Sequence, residues 1–137
     1  MVGYVNLTGT GGQVWMYTNG YGATTYSDTK LQGNGSSSTS TRDTTQAAYV
    51  LMDAGIIGTT YPASFVSHIL NYANTSTYKT VLSRTAADTN GLGVVQFTVA
   101  MKQSNSGITQ IECNTFGSAN YATSTRISLY GIKASAA

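Results

Sequence analysis

Val94-Val95-Gln96-Phe97-Thr98-Val99-Ala100-Met101 alternates in character along its length. Val95, Phe97, Val99 and Met101 fall on one side of an extended chain, with Val94, Gln96, Thr98 and Ala100 on the other. That period of two marks a strand with one face on a core. The expected assignment points Val95, Phe97 and Val99 inward. Asn90-Gly91 precedes the run and Ser104-Asn105-Ser106-Gly107 follows it. Both are turn signals, because Asn and Gly tolerate positive φ.

The same grammar extends outward in both directions. Tyr78 to Arg84 is β-branched and alternating, and Ile108 to Cys113 sets Thr109, Ile111 and Cys113 opposite Gln110 and Glu112. Arg126 to Lys133 aligns Ile127 and Leu129 inward, with Ile111 as a further core residue. Gln13 to Thr18 places Val14 and Met16 on one face, Trp15 and Tyr17 on the other, and ends at Asn19-Gly20-Tyr21-Gly22. Tyr26 to Leu31 reads as another strand. It leads into Gly33 to Thr41, whose Gly, Asn, Ser and Thr predict an exposed loop.

Two segments admit helix as well as strand. Ala47-Ala48-Tyr49-Val50-Leu51-Met52 fits a strand buried on both faces or a short helix, and the strand is preferred. In Pro62 to Leu70, Phe65, Val66, Ile69 and Leu70 share one helical face behind a proline. As a strand, Phe65, Ser67, Ile69 and Asn71 oppose Val66, His68, Leu70 and Tyr72. Pattern slightly favours the helix, the β-rich surroundings favour the strand, and the strand is the expectation.

The chain of 137 residues is the size of one domain. Only 9% of residues are charged and the net charge is +2. Roughly a quarter of the chain is Ser or Thr, well above ordinary usage. Thr packs on a pleated surface and still faces water. The ten Tyr suit half-buried strand positions and interfaces. About eight short strands between regular turns predict an all-β fold, an antiparallel β-sandwich.

Charge and residue types narrow the function. Lys30, Arg42, Lys79, Arg84, Lys102, Arg126 and Lys133 are spread singly, so no basic stripe answers to nucleic acid. No apolar run approaches the roughly 20 residues that span a membrane as a helix, and no signal-peptide pattern opens the chain. Cys113 is the single cysteine, which excludes an internal disulfide and reads as a small buried residue. His68 is the single histidine, and no Gly-x-Ser-x-Gly surrounds a serine. Asp28, Asp43, Asp53, Asp88 and Glu112 are isolated, as turn formers, caps or partners of nearby bases. Gly9-Thr10-Gly11-Gly12 lacks the Lys-Ser/Thr ending of a phosphate loop. The expectation is a protein that is not an enzyme and carries no metal or cofactor.

Further elements occur in a fixed order. A strand ends in Asn19-Gly20, then Tyr26-Ser27 precedes Leu31-Gln32-Gly33-Asn34-Gly35 and the Ser/Thr tract from Ser36 to Thr41. Tyr72-Ala73-Asn74-Thr75-Ser76-Thr77-Tyr78-Lys79-Thr80 follows, then Ile108-Thr109-Gln110-Ile111. The chain closes on Ser128-Leu129-Tyr130-Gly131-Ile132-Lys133. Taken together, about nine-tenths of the chain resembles the jelly-roll structural module of tailed-bacteriophage virion proteins.

That resemblance implies a jelly-roll sandwich over residues 13–137, a homotrimer, and a place in the virion. The favoured role is a capsid decoration or cement protein on the outer head surface, with the phage capsid or another virion protein as partner. The runner-up is a tail-fibre or appendage module that contacts host-surface glycan. Tail fibres carry a shaft and an attachment domain before such a tip. A chain starting at Met1 leaves room for neither, and this tilts the expectation toward decoration. Family members usually open with a longer first strand. Residues 1–12 are therefore expected to be an N-terminal arm or a short first strand, with Tyr4, Val5 and Leu7 attaching to a neighbour by strand addition. Trp15, Tyr17 and His68 are the expected oligomer contacts.

Overall fold

The structure is a computed structural model that describes residues 1–9, 12–21, 25–53, 60–88, 90–91 and 93–132. Ten strands occur among the described residues: β1 Val2–Val5, β2 Gln13–Thr18, β3 Tyr26–Gly33, β4 Ser38–Gln46 and β5 Tyr49–Met52, then β6 Ala63–Leu70, β7 Lys79–Ala87, β8 Val94–Lys102, β9 Ile111–Phe116 and β10 Arg126–Ser128. They form an antiparallel seven-stranded sheet, β10-β1-β6-β7-β8-β3-β4, and a three-stranded sheet, β5-β2-β9. Residues of both sheets meet in one core, so the all-β sandwich expectation holds. The strands divide seven and three.

Turn chemistry sets the register. Asn19 and Gly20 have φ of +56° and +89°, and Asn90 and Gly91 have +62° and +99°. Around the second turn, β7 pairs with β8 from Ala87↔Val94 to Lys79↔Lys102. Pro62 precedes β6, whose Ala63, Phe65 and Ser67 point inward, so the strand reading of this segment is correct. β5 is buried at all four positions, as a strand covered on both faces should be.

The core is filled asymmetrically. The smaller sheet supplies bulk in Val14, Met16, Tyr49, Leu51 and Met52, all fully buried. Much of the larger sheet's inner face is small or polar: Ala63, Ser67, Ser83, Thr85, Gln96, Thr98 and Ala100. Close packing needs small residues opposite large ones. This overturns the expected orientation of β8. Val95 is 62% exposed, Phe97 38% and Val99 40%, whereas Gln96, Thr98 and Ala100 face the core. Ile111 and Ile127 do pack against the core, but Leu129 lies past the end of β10 and is 61% exposed.

Three further expectations are corrected. Most of the supposed loop from Gly33 to Thr41 is paired: β3 runs through Gly33 and β4 starts at Ser38. Only residues 34–37 turn, with Asn34 Oδ1 accepting from the Ser36 and Ser37 amides at 3.0 and 2.8 Å. β4 remains exposed because it is an edge strand whose Ser and Thr side chains tolerate water. The closing strand is three residues long, and Lys133 lies outside the described residues, as does Gly22 of the first turn.

The third correction concerns the N-terminal segment, where of the two expected forms the short first strand is found, Val2–Val5, and the attaching arm is not. The strand is hydrogen-bonded on both sides, to β6 and to β10. Val5 and Leu7 are core residues, 0% and 1% exposed, so their apolar groups are spent inside the fold. Gly3 is required where it stands, because the ring of Phe65 occupies the space a side chain would need.

Candidate functional site

The outward face of the larger sheet is an apolar surface built by register. One row of paired residues runs Ser128, Val2, Val66, Arg84, Phe97, Leu31, Ser40 across the whole sheet. The next rows place Tyr4, Ser64, Ala86 and Val95 on one side, and His68, Leu82, Val99 and Thr29 on the other. Val2, Tyr4, Leu31, Val66, Leu70, Val95, Phe97 and Val99 are all exposed large hydrophobics. Between Leu31, Val66, Val95, Phe97 and the Arg84 side chain the surface dips into a groove of about 530 Å³. Contiguous exposed apolar area of this kind marks interaction surfaces.

The cations are partitioned by type. Arg42, Arg84 and Arg126 are exposed and share the outward side with Thr29, Phe97 and Tyr4 respectively. Every described lysine points inward. Lys30 binds Asp53 at 2.7 Å. Lys79 is 1% exposed and donates to the Asn74 and Thr77 carbonyls, so it staples the 71–78 loop, where Asn74 Oδ1 accepts from the Ser76 and Thr77 amides. This gives the Asn-x-x-x-Tyr-Lys block its physical reason. Lys102 donates to the Thr18 carbonyl and lies 5.0 Å from the Tyr26 ring centroid. No carboxylate occupies the outward positions of β1, β6, β7, β8 or β3.

The outward face of the smaller sheet is aromatic. Trp15 and Phe116 stack at 4.0 Å with an interplanar angle of 3°, and Tyr17 meets Tyr21 edge-on at 5.0 Å. Glu112 pairs with Tyr17 and Asn114 with Trp15 across β2 and β9, and Asn114 donates to Glu112 at 2.8 Å. Trp15 and Tyr17, expected at an oligomer contact, are 7% and 5% exposed, covered by their own chain in a cluster with Ala48 and Val50. Phe116 and Tyr21 are the rings that reach solvent.

Acids and a base meet between the sheets. Lys30 lies 3.8 Å from Asp28 and 2.7 Å from Asp53. Asp53 also accepts from Gln13, whose Oε1 accepts from Trp15 Nε1 at 2.8 Å. This chain links β3 of one sheet to β2 of the other. Burial pushes the Asp28 carboxyl above its ordinary range. Lys30 opposes that shift, while Asp43 and Asp53 add to it. Asp43 accepts from the Thr45 amide at 3.0 Å, and Asp88 from the Gly91 amide at 3.2 Å. These acids hold turns and tie sheets.

The remaining expected site residues separate. Tyr4 is exposed on the apolar face and His68 stands on the same face opposite Leu82. Arg84, Leu31 and Val66 are not among the site residues expected from sequence, and Phe97 is expected there in the core. A signal existed: an arginine without an acid beside it belongs outside, and the Asn90-Gly91 turn registers Phe97 against Arg84. Comparison of the chain with protein-family models, curated proteins and solved structures gives no match.

Proposed function

We propose that the protein is a structural subunit of a tailed-bacteriophage virion, a decoration or cement protein seated on the outer head surface. The observation that carries this reading is the outward face of the larger sheet. A folded domain that leaves Leu31, Val66, Val95, Phe97 and Val99 to solvent is built to cover them against another protein. Asp43, Asp53 and Asp88 are engaged in turns and sheet ties, which fits a role of attachment over one of chemistry. Attachment therefore passes from the N-terminal segment, an internal strand, to a sheet face that also carries Tyr4. The jelly-roll winding and the homotrimer belong to the same proposal.

Electron microscopy of the intact virion tests it. Density for this sandwich on the head, with the seven-stranded sheet toward the shell, is expected. Absence from purified virions overturns the reading.

The aromatic face favours a second reading, a receptor-binding appendage. Phe116 over Trp15, with Tyr21, Glu112 and Asn114 beside it, offers ring faces and hydrogen-bonding groups to a host-surface saccharide. Density at the tail tip, with saccharide binding lost in Phe116→Ala, selects this reading over the first.

A further inference from the structure

Arg84 sits near the middle of the apolar face, with Phe97 and Val66 directly beside it in the row. It lines the groove of about 530 Å³ together with Leu31, Val95 and Ala86. An apolar concavity with one fixed charge selects its occupant by both properties. The guanidinium presents a planar fork that matches a carboxylate in two parallel hydrogen bonds. No outward position on the five strands from β1 to β3 supplies that carboxylate from within the chain.

The area is adequate for a stable contact. The five strands of eight or nine residues, β6, β7, β8, β3 and β4, spaced about 4.8 Å apart and rising about 3.3 Å per residue, span roughly 650 Å². A standard interface buries about 800 Å² on each partner. Charge argues against a second copy as occupant. Face-to-face packing of two copies would bring Arg42, Arg84 and Arg126 of each toward the other. No carboxylate stands at the outward positions of β1, β6, β7, β8 or β3 to separate them, and like charges brought together in an interface are costly.

We propose that this groove binds a segment of a different protein that carries apolar side chains and a carboxylate, with Arg84 receiving the carboxylate. The inference rests on the reading of this face as an attachment surface, and it names the chemistry of the surface attached to. Apolar side chains fill the space over Phe97, Leu31 and Val66, and the acid meets Arg84 where the closing surfaces exclude water. Truncating one partner of a charge pair desolvated in this way costs far more than removing one at an exposed rim, because the other charge is left buried and unpaired.

Two synthetic peptides of alternating composition, Leu with Glu and Leu with Lys, serve as probes, with binding followed by amide NMR shifts on the full chain. The Leu/Glu peptide is expected to shift β7, β8 and Leu31 and to bind at least about tenfold more tightly than the Leu/Lys peptide. Arg84→Ala should lose about tenfold for the acidic peptide with unchanged melting, and Arg84→Lys should keep part of the affinity. Equal binding of the two peptides, or shifts confined to the Trp15 and Phe116 face, overturns the proposal. So does a self-association by sedimentation that protects the β7 and β8 face. Failure with the peptides leaves the virion location to be decided by microscopy, so the two readings fail separately.

Discussion

The hydroxyls of Ser67 and Ser83 meet at 2.8 Å inside the sandwich, both side chains sealed from water. They pair directly across β6 and β7, at positions where alternation would normally set aliphatic residues. Thr85 makes the same choice one step further along, donating to the Leu51 carbonyl at 2.8 Å. Gln96 donates to Thr98 at 2.7 Å. Small hydroxyls that satisfy one another leave room for Tyr49, Leu51 and Met52 from the facing sheet.

The pair gives a double-mutant test. Ser67→Ala alone strands the Ser83 hydroxyl in the core and should cost about 1–3 kcal/mol. Replacing both serines by Ala removes the need for a partner, so the double variant should be no less stable than either single one. Denaturant unfolding of the four proteins reads the coupling directly. Strictly additive losses would mean that the two hydroxyls do not depend on each other.

Phe97 and Phe65 should behave as opposites. Phe65 is 1% exposed beneath Gly3, and Phe65→Ala should cost about 3–5 kcal/mol. Phe97 stands on the outward face, and Phe97→Ala should cost about 1 kcal/mol or less. Thermal melting that ranks the two variants the other way would return Phe97 to the core.

Legibility from sequence divided along a physical line. Strand positions and turns were legible, because Asn19-Gly20 and Asn90-Gly91 carry positive φ and alternation has one period. The orientation of β8 was not, because alternation defines two faces without saying which one is inside. Volume decided it: the bulk of β2 and β5 left space for Thr98 and Ala100, not for Phe97 and Val99. The Ser/Thr tract was misread for a related reason. An edge strand exposed along its length has the composition of a loop, and its pairing with β3 is invisible in composition. Of the expected site residues, Val5 and Leu7 went into the core and Trp15 and Tyr17 under Phe116 and Tyr21. Sequence shows that a residue is apolar, not which neighbour covers it.

The N-terminal strand should be indispensable to the fold. Removing residues 1–7 takes away β1, which bonds to β6 and β10, together with the fully buried Val5 and Leu7. The truncated protein should lose cooperative unfolding. A milder variant, Gly3→Val, should also destabilise, because the Phe65 ring holds the space the new side chain needs. A truncated protein that still melts as a single domain would restore the reading of this segment as a free arm.

Cys113 should be a slow thiol. Burial, with the Glu112 charge beside it, pushes its pKa up to about 11. The thiolate is the reactive form, so at neutral pH the native protein should react with a disulfide reagent far more slowly than a free cysteine does. Addition of denaturant should release the full rate. Because the raised value disfavours the charged form in the fold, stability should fall as pH rises above the ordinary thiol range, and a Cys113→Ser variant should not share that loss. Rapid native labelling at pH 7 would contradict the buried setting.

Asp28 offers the last test, and its sign is opposite to that of a salt-bridged carboxylate. Its side chain is buried, neither oxygen has a hydrogen-bond partner among the described residues, and burial outweighs the attraction of Lys30 at 3.8 Å. The folded pKa therefore lies above the unfolded one, near 3.9. Ionised Asp28 weakens the fold at neutral pH. That penalty is relieved as pH falls through the folded pKa, and is gone below the unfolded one. Asp28→Asn removes the charge while Lys30 keeps Asp53 at 2.7 Å. The variant should melt higher than wild type at pH 7, and the gap should close as pH approaches about 4. Melting curves of both proteins across that interval measure it. A variant less stable than wild type at pH 7 would mean that attraction to Lys30 exceeds the cost of burial, and that Asp28 is an ion-pair partner after all.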